Sequence, residues 1–306
     1  MVLNIVIVLV KLFIASSFIV LFPYLAFYFI SYFIKKSKYE KSFYYQQTKL
    51  PYKELIKNKG KIGEYKISDL ISSLDGYKKI IFNSYIPTPD GRTTEIDVLM
   101  IHESGIYLFE SKNYSGWIFG NEKQQEWVQS FSNGRKSKKI HFPNPIIQNH
   151  VHMKWLQNFL RDNSFPFYSF IVFGNDCELK NVTITSGNHA VVEQYQLFDC
   201  VNRTAQAHQG CLQPEKIDEL YEKLLPLTQK SAEEKEKHIE EIREKYYFST
   251  DEIRNFNKKE FKCPFCGAKL VMRTAASGSH KGRHFIGCSN YPKCRYVQNI
   301  VEMDEH

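Results

Sequence analysis

The stretch GIYLFESKNYSG, residues 105–116, decides the fold of the central part of this chain. Its first half is apolar and aromatic, which is typical of a strand in a buried sheet. Glu110 and Lys112 then follow two residues apart, and side chains two apart on a strand lie on the same face. Because an unpaired charge inside a sheet is costly, this acid and this base predict a polar site at the end of a core strand.

The segments around this strand predict an α/β domain. Periodicity and turn signals indicate a helix at 60–76, strands at 77–87, 94–101 and 105–111, a helix at 144–162, a strand at 167–173, further strands at 181–185 and 190–192, and a closing helix at 214–227. Between the third strand and the second helix, the polar, lysine-rich residues 121–139 predict a basic loop. Lys138 and Lys139 in this loop suit a phosphate backbone.

Further acidic residues point towards the same site. Glu95 and Asp97 share a face of the second strand with apolar side chains, and Glu64 lies on the apolar stripe of the first helix. Oxygen ligands around a divalent ion such as Mg²⁺ would satisfy buried carboxylates. Simpler interpretations fit each residue alone. Glu64 can interact with the helix dipole, and Asp97 can cap a strand end or pair with Lys112. Glu110 can form a salt bridge at a sheet edge with the lysine two residues on.

Residues 60–173 resemble a NERD (nuclease-related) domain. The matching pieces are GKIGE (60–64), TEIDVLMI (94–101), GIYLFESKNYSGWIFG (105–120) and NPIIQN (144–149). NERD domains are similar to the PD-(D/E)xK restriction endonucleases, so the resemblance implies a restriction-endonuclease-like mixed sheet flanked by helices. The strand acid stands in EID here, without the PD that names the superfamily.

The resemblance implies a role for each of five residues. Asp97 and Glu110 would bind a catalytic Mg²⁺ or Mn²⁺, and Lys112 would be the catalytic lysine. Glu64 would be the acid of the first helix, and Gln148 the glutamine of the second. The implied reaction is metal-dependent hydrolysis of phosphodiester bonds in DNA. Two alternatives stay open, namely a DNA-binding membrane tether that keeps the fold without cutting, and a nuclease that acts on RNA.

Tryptophan and histidine near these motifs have both structural and functional interpretations. Trp117 suits core packing, with stacking on a base as the alternative. His141, His150 and His152 suit structural or surface positions. His150 and His152 are two apart on a predicted helix, so they do not face together.

A run of 23 residues without a charge, 12–34, predicts a transmembrane anchor in a lipid bilayer. Lys35, Lys36 and Lys38 follow it, which favours a cell (inner) membrane protein with its later domains in the cytoplasm. A cleaved signal peptide is the alternative. The predicted organisation is an anchor at 1–36, a juxtamembrane linker at 37–57, a nuclease-like domain at 58–227, a charged helical linker at 228–260 and a zinc ribbon at 261–303.

Four of the seven cysteines crowd the C-terminal part, at Cys263, Cys266, Cys288 and Cys294. The spacing C-x2-C, 21 residues, C-x5-C predicts one structural Zn²⁺ in a reducing compartment rather than a disulfide framework. The net charge of +8 permits an anionic partner without requiring one.

CPFCGAKLVMR and FIGCSNYPKCRY resemble the zinc ribbon of type IA DNA topoisomerases. The resemblance implies DNA binding, often to single strands, and a purely structural or protein-binding ribbon is the alternative. Cations on phosphates with aromatic rings under bases suit this function. The predicted DNA-contacting residues are Lys269, Arg273, Arg283, Phe285, Tyr291, Arg295 and Tyr296.

Overall fold

The computed structural model describes residues 2–88, 91–133, 136–162, 164–187, 189–229, 247–248, 256, 261–263, 266–276, 282, 284–294, 296–299 and 301–302. The helices are α1 (Val2–Glu40), α2 (Phe43–Thr48), α3 (Tyr52–Leu55), α4 (Lys59–Ser72), α5 (Pro145–Leu160), α6 (Leu197–Ala207) and α7 (Pro214–Leu224). The strands are β1 (Lys78–Pro87), β2 (Thr93–His102), β3 (Gly105–Lys112), β4 (Gly116–Asn121), β5 (Glu126–Asn133), β6 (Lys136–Pro143), β7 (Phe167–Phe173), β8 (Cys177–Thr183), β9 (His189–Glu193), β10 (Tyr247–Phe248), β11 (Leu270–Thr274), β12 (His284–Cys288), β13 (Val297–Asn299) and β14 (Val301–Glu302).

The main sheet has the order β1-β2-β3-β7-β9, with β3 at its centre. The first three strands are antiparallel, and β3, β7 and β9 are parallel. One side of this sheet, the α4 face, packs against α4 and α6, and the other side, the α5 face, packs against α5 and α7. The predicted mixed α/β sheet flanked by helices is confirmed.

Strand β3 places alternate residues of the opening stretch on opposite sides of the sheet. Tyr107 and Phe109 are buried on the α4 face, whereas Ile106 and Leu108 are buried on the α5 face. Because side chains alternate along a strand, Glu110 continues the series on the α5 face. It therefore lies on the central strand of the sheet and not at an edge.

A second sheet, in the order β6-β5-β4-β8, occupies the region that the sequence predicted as a basic loop. Residues 121–139 contain all of β5 and part of β6, which form an antiparallel hairpin, so the loop prediction is wrong. Polar residues separate the apolar ones here, but those apolar residues have partners. Ile118 and Trp127 pack against Ile146 and Phe173 in a core shared with the main sheet.

The residues predicted as a juxtamembrane linker, 37–57, are packed on the α4 face. They include the end of α1, α2 and α3, and the buried residues Tyr39 and Tyr44 contact the core around Ile67. The phenol of Tyr39 donates a hydrogen bond to the Leu50 carbonyl at 2.7 Å. A polar composition therefore concealed ordered contacts made by tyrosine.

Within the part of the chain whose side chains are described, no helix has the length and apolar character needed to cross a membrane. The anchor and lipid partner predicted from residues 12–34 are therefore not supported, although the side chains of residues 12–20 lie outside the description. The membrane location stays a prediction. The charged linker at 228–260 lies almost wholly outside the described residues.

His102 is buried in the turn between β2 and β3 as a neutral imidazole. Its Nε2 donates to the Asp75 carbonyl at 2.7 Å, and its Nδ1 accepts from the Ser104 N–H at 3.1 Å. Burial lowers the pKa of His102. A lowered pKa means that the unfolded chain binds the proton more readily, so the stabilising contribution is present above about pH 6.5 and is lost below it.

We expect the free energy of unfolding to fall between pH 7.5 and pH 5.5, and to fall less in a His102→Gln variant. Tryptophan fluorescence during thermal unfolding measures this, because all three tryptophans lie between residues 117 and 155. Equal acid sensitivity in the wild type and the variant would contradict the prediction.

Candidate active site and zinc site

The candidate active site lies where β2 and β3 separate. Their pairing runs from His102 opposite Gly105 to Val98 opposite Phe109, and stops before Asp97. The Asp97 Oδ2 atom accepts a hydrogen bond from the Ser111 N–H at 2.9 Å. The carboxylate therefore fills the fork between the two strands.

The strands β1 and β2 also change face at this point. Their ladder passes from Phe82 opposite Val98 to Ser84 opposite Ile96, without a pair between the residues in the middle. Phe82 and Val98 pack on the α4 face, but Ile96 packs on the α5 face, as does Ile86. Val98 and Ile96 are two apart on β2, with Asp97 between them, yet their side chains point to opposite sides of the sheet.

This change of face corrects the prediction that Glu95 and Asp97 share one face with the apolar residues of β2. The Glu95 Oε1 atom accepts a hydrogen bond from the Tyr85 hydroxyl at 3.1 Å, and the Glu95 charge acts on Lys61 of α4. Thr94 instead lies beside His152 of α5, with 2.6 Å between Oγ1 and Nδ1.

Three of the predicted site residues meet on the α5 face. The Lys112 Nζ atom lies 2.6 Å from Glu110 Oε1 and donates to Gln148 Oε1 at 3.1 Å. The salt bridge foreseen from the sequence thus forms, but on the central strand. The His152 Nε2 atom lies 3.4 Å from the other oxygen of Glu110, which is long for a hydrogen bond but close for an electrostatic contact.

The charges of this cluster are unevenly balanced. Burial would raise the pKa of Glu110, but Lys112 and His152 hold it at about 2. Burial would lower the pKa of Lys112, but the Glu110 carboxylate raises it. The pKa of Asp97 is raised well above its usual value, first by burial and then by the charges of Glu110 and Glu64. Asp97 is therefore the carboxylate whose charge is least compensated.

Glu64 lies on the α4 face with its own partners. Its carboxylate is buried and accepts from the Tyr44 hydroxyl at 2.9 Å and from Lys61 Nζ at 2.9 Å. Burial raises the pKa of Glu64, and the nearby Lys61 ammonium opposes that shift. The first-helix acid is thus paired with a lysine that the sequence interpretation did not include.

The three carboxylates Glu64, Asp97 and Glu110 do not form one tight group. In the described part of the chain, the four cysteines are the only set of three or more acidic, histidine or cysteine ligands whose atoms all lie within 4.8 Å of one another. Glu64 stands on one side of the sheet and Glu110 on the other, with Asp97 in the fork between them. Direct coordination of a single ion by all three is not what this arrangement favours.

Asp97 and Glu110 nevertheless suit a divalent cation. Carboxylate oxygens are the hard donors that Mg²⁺ and Mn²⁺ prefer. Among the described residues, no ammonium or guanidinium nitrogen lies within 4.0 Å of Asp97. The pKa of Asp97 is raised first by burial and then by the charges of Glu110 and Glu64, and a bound cation would oppose this rise by favouring the carboxylate. The donor set therefore fits such an ion at Asp97.

His152 is the site residue that the sequence interpretation missed, because it was assigned a structural or surface role. It follows Gln148 by four residues on α5, so the two share a helix face. That i, i+4 relation to the predicted glutamine is the signal that identifies it. His150 is exposed, with its ring centroid 6.1 Å from that of His189, and His141 lies 3.7 Å from a Glu126 oxygen.

The predicted zinc ligands come together at the C-terminal module. Cys263 Sγ lies 3.7 Å from Cys294 Sγ, and Cys266 Sγ lies 3.4 Å from Cys288 Sγ. These separations are too long for disulfides, and they approach the roughly 3.8 Å edge of a tetrahedron with Zn–S bonds of about 2.3 Å. A hydrogen bond from the Ala268 N–H lowers the pKa of Cys266 to about 7, which favours the thiolate. The four sulfurs fit one structural Zn²⁺.

Among the predicted DNA-contacting residues that the structure describes, Arg273 and Phe285 lie on the small antiparallel sheet of the ribbon and Tyr291 lies in the turn after β12. Arg273 on β11 is exposed and opposite Phe285 on β12, and its guanidinium carbon lies 5.9 Å from the Tyr291 ring centroid. Tyr291 is 60% exposed, Lys269 is exposed and Tyr296 is half-buried. Arg283 and Arg295 lie outside the described residues.

The second sheet carries the other predicted nucleic-acid residues. Lys138 and Lys139 are exposed on β6, opposite Phe131 and Ser130 of β5. Trp117 is also opposite Ser130 and is 38% exposed, so the prediction that it packs in the core is wrong. Lys139 and Trp117 therefore lie on one face, and Trp127 is the tryptophan that fills the core.

Comparison with known proteins identifies two regions of the chain. Residues 59–174 match the nuclease-related domain, and residues 260–302 match the topoisomerase DNA binding C4 zinc finger. An uncharacterized protein of Bacillus anthracis is 31% identical over 195 residues, which are 63% of this chain and 88% of the relative.

The ribbon alone has further relatives. DNA topoisomerase 1 of Methanocaldococcus jannaschii is 52% identical over 38 residues, and DNA topoisomerase 1 of Archaeoglobus fulgidus is 53% identical over 36 residues. Each match covers 12% of this chain but only 4% and 5% of the respective topoisomerase. No solved structure matches the chain.

Proposed function

Because this chain belongs to the family of proteins that carry a nuclease-related domain, we propose that it is a divalent-metal-dependent DNA nuclease that hydrolyses phosphodiester bonds. Its zinc ribbon is proposed to bind the DNA, as the match to the topoisomerase DNA-binding finger suggests. The contact that carries the proposal is that of Lys112 with Glu110 and Gln148, beside the uncompensated Asp97.

Each side chain has a distinct task in this proposal. Asp97 and Glu110 would hold a Mg²⁺ or Mn²⁺ ion, which supplies charge stabilisation at the phosphate and a more acidic bound water. Lys112 keeps its proton, because Glu110 raises its pKa, and donates to the phosphate oxygen on which negative charge develops. Gln148 and His152 fix the orientation of the lysine and the glutamate that they contact.

The proposal is tested by a cleavage assay on full-length protein. Linear, nicked and single-stranded DNA are incubated with Mg²⁺, Mn²⁺ or no divalent ion, using wild type and the Asp97→Asn variant. We expect metal-dependent cleavage by the wild type and a decrease of about 10²-fold or more in the variant, because the neutral amide is a far weaker ligand for the ion.

Asp199→Asn is the matched control, since it makes the same change at an exposed position of α6. Equal cleavage by the Asp97→Asn and Asp199→Asn variants would remove Asp97 from the reaction. RNA of the same sequence is included as a third substrate, and its preferential cleavage would change the substrate class.

One observation favours a second candidate, a DNA-binding protein that keeps the fold without cutting. The carboxylates of Glu64 and Glu110 are each already paired with a lysine, and they do not converge with Asp97. If this candidate is right, the wild type and the Asp97→Asn variant bind DNA with the same affinity, and neither cleaves it with any metal ion.

A further inference from the structure

Lys61 on α4 is a second lysine beside the fork. Its Nζ atom donates to Glu64 Oε1 at 2.9 Å and to Asn83 Oδ1 at 2.5 Å. Its charge also interacts with those of Glu95 and Asp97. Lys61 is thus the cation paired with the buried acid Glu64 on the α4 face, and Lys112 is the cation paired with the buried acid Glu110 on the α5 face.

The side chains of Lys61 and Lys112 differ in their exposure to solvent. The Lys61 side chain is 31% exposed, whereas the Lys112 side chain is 14% exposed. An ammonium has three N–H donors, and the contacts with Glu64 and Asn83 use two of them. Lys61 therefore keeps one N–H donor, on a side chain that is partly exposed to solvent.

Asn83 holds Lys61 in place through an unusual backbone. It lies in the middle of β1 with φ of 54°, a left-handed conformation that a non-glycine residue rarely adopts within a strand. It stands at the gap in the β1–β2 ladder, across from Asp97. The same break directs the Asn83 amide oxygen to Lys61 and reverses the faces of both strands, so one local distortion organises both sides of the fork.

The fork between β2 and β3 is rich in negative charge, and the Lys61 ammonium offsets part of it. The charges of Glu64 and Glu110 both act on Asp97 in the fork, where the proposed function requires an anionic phosphodiester to bind. Lys112, which also keeps one N–H donor beside its contacts with Glu110 and Gln148, is assigned by the proposed function to the phosphate that reacts. A DNA strand that approaches the fork therefore needs a further cation on the α4 side.

We propose that Lys61 binds a phosphate of the DNA strand on the α4 side of the fork between β2 and β3, and that Asn83 is its positioning residue. This inference rests on the proposed function for the identity of the substrate, but it concerns binding and not bond cleavage. It is therefore testable even if the protein does not cut.

The test measures DNA binding by full-length, zinc-loaded protein across a range of salt concentrations, with Ca²⁺ in place of Mg²⁺. A short fluorescent duplex and the corresponding single strand serve as probes. We expect Lys61→Met to weaken binding about 3- to 10-fold and to reduce the slope of log affinity against log salt by about 1, because one phosphate contact is lost. Lys61→Arg keeps the charge and the slope.

Two further variants separate binding from folding. Lys61→Met leaves the Glu64 carboxylate buried without its lysine, so the double variant Lys61→Met with Glu64→Gln removes both charges. If the double variant unfolds at the wild-type temperature and still shows the lower slope, the loss belongs to the phosphate contact. An unchanged slope in both folded variants overturns the proposal.

Asn83 is tested by a matched pair of substitutions. Asn83→Gly tolerates the left-handed backbone but removes the amide oxygen, whereas Asn83→Asp keeps an oxygen acceptor. We expect weaker binding in Asn83→Gly and near wild-type binding in Asn83→Asp; the reverse order overturns the positioning role.

If Lys112→Ala abolishes cleavage while Lys61→Met binds normally, this inference fails and the proposed function stands. If no protein cuts but the salt slope falls, catalysis fails and this inference stands.

Discussion

Replacing Lys112 with alanine is expected to lower the rate of DNA cleavage by roughly 10²- to 10³-fold, the usual effect of removing one donor to developing negative charge. DNA affinity is expected to stay within about threefold, because the Lys112 ammonium faces Glu110 and Gln148 and contributes little outward charge. The single-turnover rate and the dissociation constant measure the two effects separately.

The control for this prediction addresses the charge that the substitution leaves behind. Lys112→Ala removes the closest cation from the buried carboxylate of Glu110, and an unpaired buried charge is destabilising. Lys112→Met combined with Glu110→Gln removes both charges and keeps most of the volume. Thermal unfolding followed by tryptophan fluorescence shows whether each variant is folded. A folded Lys112→Ala variant that cuts at the wild-type rate would remove this lysine from the reaction.

Replacing Cys288 with serine is expected to unfold the ribbon and leave the nuclease-related domain intact. The module has a small core in which Cys263, Cys288 and Cys294 are themselves major buried residues. A structural zinc contributes about 10–16 kcal/mol in small zinc-dependent folds, so its loss exceeds what that core supplies. Zinc content is expected to fall from about one ion per chain towards zero, with weaker DNA binding.

Cys211→Ser is the matched control for the ribbon, because Cys211 is exposed and distant in sequence from the four ligands. Zinc is measured by release to a chromogenic chelator, and binding by anisotropy on single-stranded DNA. The tryptophan unfolding transition should be unchanged in both variants. Full zinc occupancy in Cys288→Ser would contradict the ligand set, and unchanged DNA affinity after zinc loss would assign binding to another surface.

The parts of the fold that depend on local alternation were predictable from the sequence. The series Ile106, Leu108, Glu110 along one strand fixes which face each side chain occupies, whatever lies around it. The near-helical spacing of apolar residues from 147 to 160 likewise predicted the helix that carries Gln148, whose role came from the resemblance. The cysteine spacing likewise contains its own geometric constraint, so the four sulfurs converge as predicted.

The parts that depend on distant contacts were not predictable. Nothing in the sequence around Asn83 marks a left-handed residue within a strand, and that residue decides where Glu95 points. The hairpin of β5 and β6 is polar by composition, and its burial depends on Phe173, which lies on another sheet. His152 gains its role from Glu110, which lies 42 positions earlier in the chain.

Three strands of the second sheet, β4 to β6, lie between Lys112 and Gln148 in the chain, yet these two side chains are 3.1 Å apart. The chain segment between Lys112 and Gln148 therefore begins and ends at the same place, where these two side chains are hydrogen-bonded. Ile118 and Trp127 tie its inner side to the main domain, whereas Trp117 and Lys139 look outwards. The outward side chains can therefore be substituted without touching the core or the contact between Lys112 and Gln148.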